Sequence, residues 1–513
     1  MRLIRPDLKT LQRALTPLLV GAMACALLYH NMAQVSSIRQ GRIYWIDVTA
    51  AIKLYLDKRW PQPSTAPPAK ELAWEEFTPI LANTTQIMTR LAAGLPDGAF
   101  WRTVRPGSFL KHREMLADIP AHQDAGRARL LAWGYARLGG IAPHLPQWLA
   151  ALVLMPILGW ATAELWAARF PAAAVAFGAL VPSSMYVIQS LALGHSPFGF
   201  YLVALVSVVA LSAYSVRDRP TSLGVLARAS ATGGILAVCV LCRSGSILLA
   251  PGFAWATIVA AGRIPSLSSR RKRAVLVLSA TALIFVPSFE VRQSQRHPVW
   301  AGFWEGLGDF DAAKSYYWDD AEARRALAAA GLPSEWVDLA GPQAETYFRE
   351  KVLSDILGDP LWYLDILARR FVATAFQPKL WPRGRDDGKT YAPSTRPNEG
   401  RTDGYYTFTP TADLVVFGSR QWELPVPLMV APALLLLLFF LARRRRKGSD
   451  RLTLVTNALV LFAGPWLAAL TLPVLVTTAA AQEMQAIALA YFVGLGLFLD
   501  ALHPWAVSQV GPS

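Results

Sequence analysis

The chain has 513 residues, a formal net charge of +15, 53% hydrophobic and only 17% charged residues, and a mean hydropathy of +0.31. Soluble domains carry about 25% charged residues, so a string of soluble domains is excluded. The 18 Trp, 22 Phe and 15 Tyr exclude low-complexity disorder, and three cysteines (Cys25, Cys239 and Cys242), all inside apolar runs, exclude a disulfide-stapled secreted scaffold.

A bilayer core takes about 20 apolar residues as a helix. Ten stretches qualify: near 14–33, 147–166, 171–191, 198–215, 229–243, 246–262, 274–289, 424–442, 452–475 and 484–502. The expected fold is therefore an all-α polytopic membrane protein of about ten transmembrane helices. The first stretch is long enough to span and lacks a persuasive cleavage site after Gly21–Leu28, so it reads as a retained helix rather than a signal peptide. Basic clusters stand at Arg2, Arg5, Lys9 and Arg13, at Arg217, Arg219 and Arg228, at Arg263 and Arg270–Arg273, and at Arg443–Lys447. Ten spans put all of them on one side, which the positive-inside rule assigns to the cytoplasm with both termini. They absorb much of the +15, and no nucleic-acid partner is expected. The composition reads as bacterial, so the expected site is the inner membrane.

The organisation that follows is an N-terminal transmembrane module over 1–289 with a long first exterior loop at 34–146, a mainly helical periplasmic segment at 290–423, and C-terminal transmembrane helices over 424–513. A transporter usually minimises its loops. Here two long polar stretches rich in Trp, Tyr and Arg face the outer side, and the chemistry is expected there.

In the first exterior loop, residues 42–60 carry apolar side chains at helical spacing (Ile43, Ile46, Ala50, Leu54), which predicts an amphipathic helix along the membrane surface. Pro61–Pro68 ends it, and a second amphipathic piece runs from Glu71 to Leu95. Asp47 sits where a carboxylate can reach both a headgroup and a substrate, and can act as general base towards a hydroxyl. The plainer reading is a solvated charge pairing with Arg42 or Lys53. Glu75 and Glu76 carry the same two readings. The stretch Arg102–Arg137 is basic and aromatic.

Tyr186, Gln189 and His195 cluster near the exterior ends of the third and fourth spans, where they can line a cavity or simply sit at the interface. Arg243 splits one long apolar stretch and is read as the turn of a tight hairpin. A charge at such a place defaults to a functional hypothesis, and guanidinium suits a lipid phosphate through planar bidentate donors. Snorkelling to ordinary headgroups is the competing reading.

The second exterior stretch gathers His297, Trp300, Trp304, Glu305, Asp309, Tyr316, Tyr317 and Trp318 around Gly306 and Gly308, where the backbone is expected to turn. Flat rings alternating with carboxylates suit a sugar-binding surface, and equally an interfacial aromatic belt. Two helices broken at Gly358-Asp359-Pro360 follow, the second expected to end at Arg369 and Arg370. No Walker loop, dinucleotide fingerprint, HExxH or GxSxG is present. Cys239 and Cys242 lie in a span without a second pair, too few ligands for a structural zinc site.

The pattern of a basic N-terminus, one span, a long exterior loop with an early Asp on an amphipathic helix, a run of multipass helices and a soluble-looking exterior portion before the last spans resembles the GT-C class of integral-membrane glycosyltransferases. Locally, HPVWAGFWEGLGDF, YWDDAEA and GDPLWYLDILARRF look like segments of bacterial proteins related to the dolichyl-phosphate-mannose mannosyltransferase-like branch. The resemblance implies transfer of a sugar from a polyprenyl-phosphate-linked donor to a lipid, glycan or protein acceptor in the periplasm. It implies Asp47 as base, with Glu75 or Glu76 as substitutes, and Arg243 as ligand of the carrier phosphate. Some members of the class bind a divalent metal, and nothing in this sequence demands one. The alternatives are a ligase or polymerase of undecaprenyl-linked glycans and a non-enzymatic lipid or solute transporter. Against the latter stand few charges within the spans and no evident inverted repeats.

Overall fold

The computed structural model describes residues 8–34, 51, 125–139, 142, 145–184, 187–188, 191, 198–217, 220–264, 299–308, 313–316, 320–334, 339, 341–376, 411–416, 420–425, 449–471 and 485–502, with isolated helical positions 270, 274, 277, 280 and 281. Among them the chain is helical apart from one antiparallel strand pair. In order the elements are α1 (Leu8–Gln34), α2 (Ala125–Leu138), α3 (Leu145–Ala167), α4 (Pro171–Ser183), α5 (Phe198–Ser215), α6 (Ser222–Cys242), a 3-10 helix (Ser244–Leu249) and α7 (Ala250–Gly262). There follow α8 (Val299–Leu307), α9 (Asp320–Ala329), α10 (Pro342–Gly358), α11 (Pro360–Phe376), β1 (Thr411–Val416), β2 (Arg420–Pro425), α12 (Ser449–Thr471) and α13 (Gln485–Leu502).

Four helical stretches are long and apolar enough to cross a membrane: Leu15–Ala33, Leu145–Ala167, Ser222–Cys242 and Gly245–Gly262. Four shorter apolar helices accompany them, Pro171–Ser183, Gly199–Ser215, Thr456–Ala469 and Leu489–Asp500. Eight of the ten expected segments thus appear as apolar helices. The stretch 274–289 is described only at isolated helical positions, and 424–442 only at its first two residues, which end β2 rather than begin a helix.

Three boundaries differ from expectation, each for a local reason. The segment expected at 171–191 runs as one helix to Ser183, because Ser184, two residues after Pro182, takes extended backbone with ψ 116°. The Pro182 carbonyl accepts from Asn31 Nδ2 at 2.9 Å. Next, α6 begins at Ser222 rather than near 229, because Thr221 caps it, its Oγ1 accepting from Gly224 N at 3.0 Å. Arg228 therefore lies inside the helix instead of in a loop. Finally, the residues after Arg243 wind as a 3-10 helix before α7, whose Pro251 supplies no N–H to the preceding turn.

The bundle packs around α5. From Phe200 to Val216 this helix is buried on every side, as an all-round apolar helix must be. Backbones approach closely where side chains are smallest. On α1 and α3, a Cβ added to Gly21 would lie 2.6 Å from the Gly159 carbonyl oxygen. Cys25 Sγ donates to Met155 O at 2.9 Å and Tyr29 meets Trp148, so the two helices run antiparallel.

Cross-links sort the helix ends into two sets. At one end Glu164 of α3 binds Arg217 after α5 and Arg228 of α6. There too Asp500 of α13 accepts from Ala172 and Ala173 N, both at 2.8 Å, capping α4. Arg263 after α7 reaches Val216 O and Asn457 of α12. At the opposite end Asn31 meets Pro182, Arg127 meets Pro146, and Gly126 lies against Leu241. Consecutive helices from α3 to α7 alternate between these ends, and α12 starts at the same end as α7 finishes.

A second core is built by α8 to α11 inside the expected exterior segment. It contains Trp304, Tyr316, Leu327, Phe348, Val352 and Ile366, none of which belongs to the bundle core. The expected break at Gly358-Asp359-Pro360 is present. Asp359 N donates to Asp355 O at 3.1 Å to end α10, and Asp359 Oδ1 accepts from Trp362 N at 3.0 Å to begin α11.

Candidate functional site

Arg243 stands at the junction that its own sequence creates. The Ser-Gly-Ser that follows favours no helix, so α6 ends there. The residue is extended (φ −153°, ψ 101°), its N–H donating to Cys239 O at 2.7 Å and its carbonyl accepting from Ser246 N at 2.9 Å. Arg243 is half-buried, its Nε fully so, at the end of two apolar helices. One turn on, Ser246 is fully buried and its hydroxyl has no partner among the described residues.

Arg127 of α2 comes to the same end. Arg127, Leu131 and Tyr135, spaced i, i+4, i+8, share the buried face of α2, while Trp133 and Arg137 face outward, with the guanidinium 5.4 Å from the indole centroid. A Cβ on Gly126 would lie 2.4 Å from Leu241 backbone, so α2 rests directly on the last turn of α6. Arg127 is only 2% exposed and its Nη2 donates to Pro146 O at 3.0 Å, beside fully buried Gln147. This end of the bundle thus gathers two guanidinium groups, a buried hydroxyl and a buried amide. In low dielectric such donors bind an anion more strongly than they would in water.

The other end holds a cluster around Glu164. Glu164 Oε1 accepts from Arg228 Nε at 2.7 Å and from Trp160 Nε1 at 3.1 Å, and Arg217 Nη2 lies 2.7 Å from Oε2. Both arginines stack on Tyr214, at 4.0 and 5.3 Å from its ring centroid. Here the carboxylate is supplied by the protein, which makes this cluster structural.

Of the residues expected to carry function, Asp47, Glu75, Glu76, Tyr186, Gln189, His195, His297 and Asp309 lie outside the described residues. Trp304 is not a sugar-stacking face. It is 2% exposed, with ring centroids 5.7 Å from Tyr316 and 5.5 Å from Phe348. Trp300 is half-buried, and its N–H donates to Glu345 Oε1 at 2.9 Å, tying α8 to α10. Glu305 is half-buried in the last turn of α8, and Gly308 N bonds its carbonyl where the chain turns as expected. Arg369 and Arg370 do not end α11, which continues to Phe376. Arg369 is exposed and pairs with Asp365 at 2.8 Å.

In the second core, Asp355 ties α10 to the segment that precedes α9. It accepts from Tyr316 Oη at 2.6 Å and lies 3.3 Å from Lys351 Nζ and 3.9 Å from Lys314 Nζ. The ammonium groups lie over aromatic rings, Lys314 over Trp362 and Lys351 over Tyr316. Burial alone would raise this carboxyl, but the tyrosine hydrogen bond and the two lysines outweigh it and hold the group below its ordinary value.

Sequence reasoning passed over three residues. Arg127 was submerged in a basic stretch, although its spacing with Leu131 and Tyr135 marks a buried face. Glu164 is the single charge in Leu145–Ala167, a signal available from the outset. Ser246 carried none. Among the described residues no group of three or more His, Cys, Asp or Glu is placed to hold a metal ion. Comparison of the chain with protein-family models, with curated proteins and with solved structures finds no match in any of the three.

Proposed function

We propose that the chain is a glycosyltransferase of the bacterial inner membrane, moving a sugar from a polyprenyl-phosphate carrier to a periplasmic lipid, glycan or protein acceptor. The observation that carries this reading is that Arg127, Arg243 and buried Ser246 stand at the same end of an apolar bundle, where α2 rests on the last turn of α6. Fixed cations beside a low-dielectric wall suit the phosphate of a lipid whose tail lies in the bilayer. The opposite end, with Arg217, Arg228 and Arg263, faces the cytoplasm by the positive-inside rule. The phosphate end then faces the periplasm, and both termini are cytoplasmic.

Transfer follows from ordinary group chemistry. Asp47, soon after α1 in sequence, takes the proton of the acceptor hydroxyl. The oxygen bonds to the anomeric carbon while the carbon–oxygen bond to phosphate breaks, and the electron pair leaves with the phosphate. Arg243 and Arg127 stabilise the charge that develops on that phosphate.

Purified protein in proteoliposomes, given a labelled polyprenyl-phosphate monosaccharide and an envelope-lipid acceptor extract, should release polyprenyl phosphate and label the acceptor. Arg243→Gln should lower turnover by about 100- to 1,000-fold, and Asp47→Asn should abolish it while the protein stays folded. Turnover of a lipid-pyrophosphate oligosaccharide instead would make the protein a glycan ligase or polymerase. Passage of intact donor across the bilayer would make it a transporter.

A further inference from the structure

The corner between α10 and α11 presents four leucines to solvent. Leu353 and Leu357 stand one turn apart on α10, 40% and 76% exposed, and Leu361 and Leu364 stand one turn apart on α11, 77% and 57% exposed. The two at the corner are more exposed than Leu18 and Leu19, which face outward on membrane-length α1. Their exposure is not that of a frayed end. The same helices bury Phe348, Val352 and Ile366 on their inner side, and Asp359 closes one helix with its backbone N–H and opens the next with its carboxylate.

A contiguous apolar corner of this kind marks an interaction surface. Its rim says which. Trp362 and Tyr363 lie half-exposed beside Leu361, and Arg349, Glu350, Asp365 and Arg369 stand exposed around the leucines. Amphipathic rings and charges of both signs bordering a leucine tip match the headgroup layer of a phospholipid bilayer, where Trp and Tyr concentrate. We propose that this corner dips into the interface of the membrane the bundle spans, Leu357 and Leu361 deepest, anchoring the α8–α11 unit to the lipid surface. The proposal is independent of glycosyl transfer and requires only that the chain is a membrane protein.

The test uses the full chain in phospholipid nanodiscs, with a nitroxide at Leu357→Cys, at Leu361→Cys, or at Thr346→Cys, which lies on the same exposed face of α10 three turns from the corner. Wild-type protein taken through the same labelling gives the background of its native cysteines. Labels at 357 and 361 should collide with dissolved oxygen several-fold more than with a water-soluble nickel chelate, and the ratio should fall towards 346. Nickel collisions dominating at 357 and 361 would overturn the proposal. So would exclusion of both reagents, which would mean that protein covers the corner.

Discussion

Glu164 shows what one residue does inside an apolar helix. Charges there are expensive unless paired, and this one is met by two guanidinium groups and an indole N–H. Glu164→Gln leaves Arg217 and Arg228 facing one another across a neutral amide. The expected cost is about 3 kcal/mol, read as a lower thermal unfolding midpoint in detergent; a loss within about 0.5 kcal/mol, the range of an ordinary surface change, would refute the pairing. Asp355 makes a different prediction. Its folded value lies below the ordinary carboxyl value of 3.8, so its contribution is complete above that value and is lost as pH falls through the depressed one. Wild type should therefore lose stability more steeply than Asp355→Asn below about pH 4, and the two profiles should run parallel from about pH 5 to 8. Divergence in the neutral range would contradict this assignment.

At the scale of elements, contact depends on what is missing from a side chain. A Cβ on Gly496 of α13 would lie 2.3 Å from Ala173 Cα of α4, backbone that cannot yield. Gly496→Ala should cost about 1–3 kcal/mol through overpacking. Gly234, in the interior of α6 with nothing near a prospective Cβ, should behave oppositely, Gly234→Ala gaining up to about 1 kcal/mol. Equal effects at the two positions would dissolve the distinction. Apolar run length was enough to find eight helices. It was not enough to start α6 correctly, because Arg228 depresses local hydropathy and its partner Glu164 lies 64 residues away. Trp304 illustrates the same limit: aromatic and acidic residues in alternation read alike whether they line a sugar surface or close a small core. The spacing of α2 did contain the buried face that holds Arg127, and only its position within a basic run concealed it.

For the whole molecule, the sorting of helix ends matters most. Glu164, Asp500 and Arg263 bind α3 to α7, α12 and α13 at one end, and Asn31, Arg127 and the Gly126 contact bind α1 to α4 and α6 at the other. The division sets the Glu164 cluster at the end opposite to Arg127 and Arg243. The sequence alone set Arg243 at a junction between apolar helices but could not bring Arg127 to the same end, since that requires α2 to rest on α6. A cryo-EM structure with polyprenyl phosphate bound tests the assignment most directly. Phosphate density between Arg127 and Arg243, with the Asp47 carboxylate facing the same cavity, is the expected result; phosphate held elsewhere, or Asp47 at the Glu164 end, would contradict it.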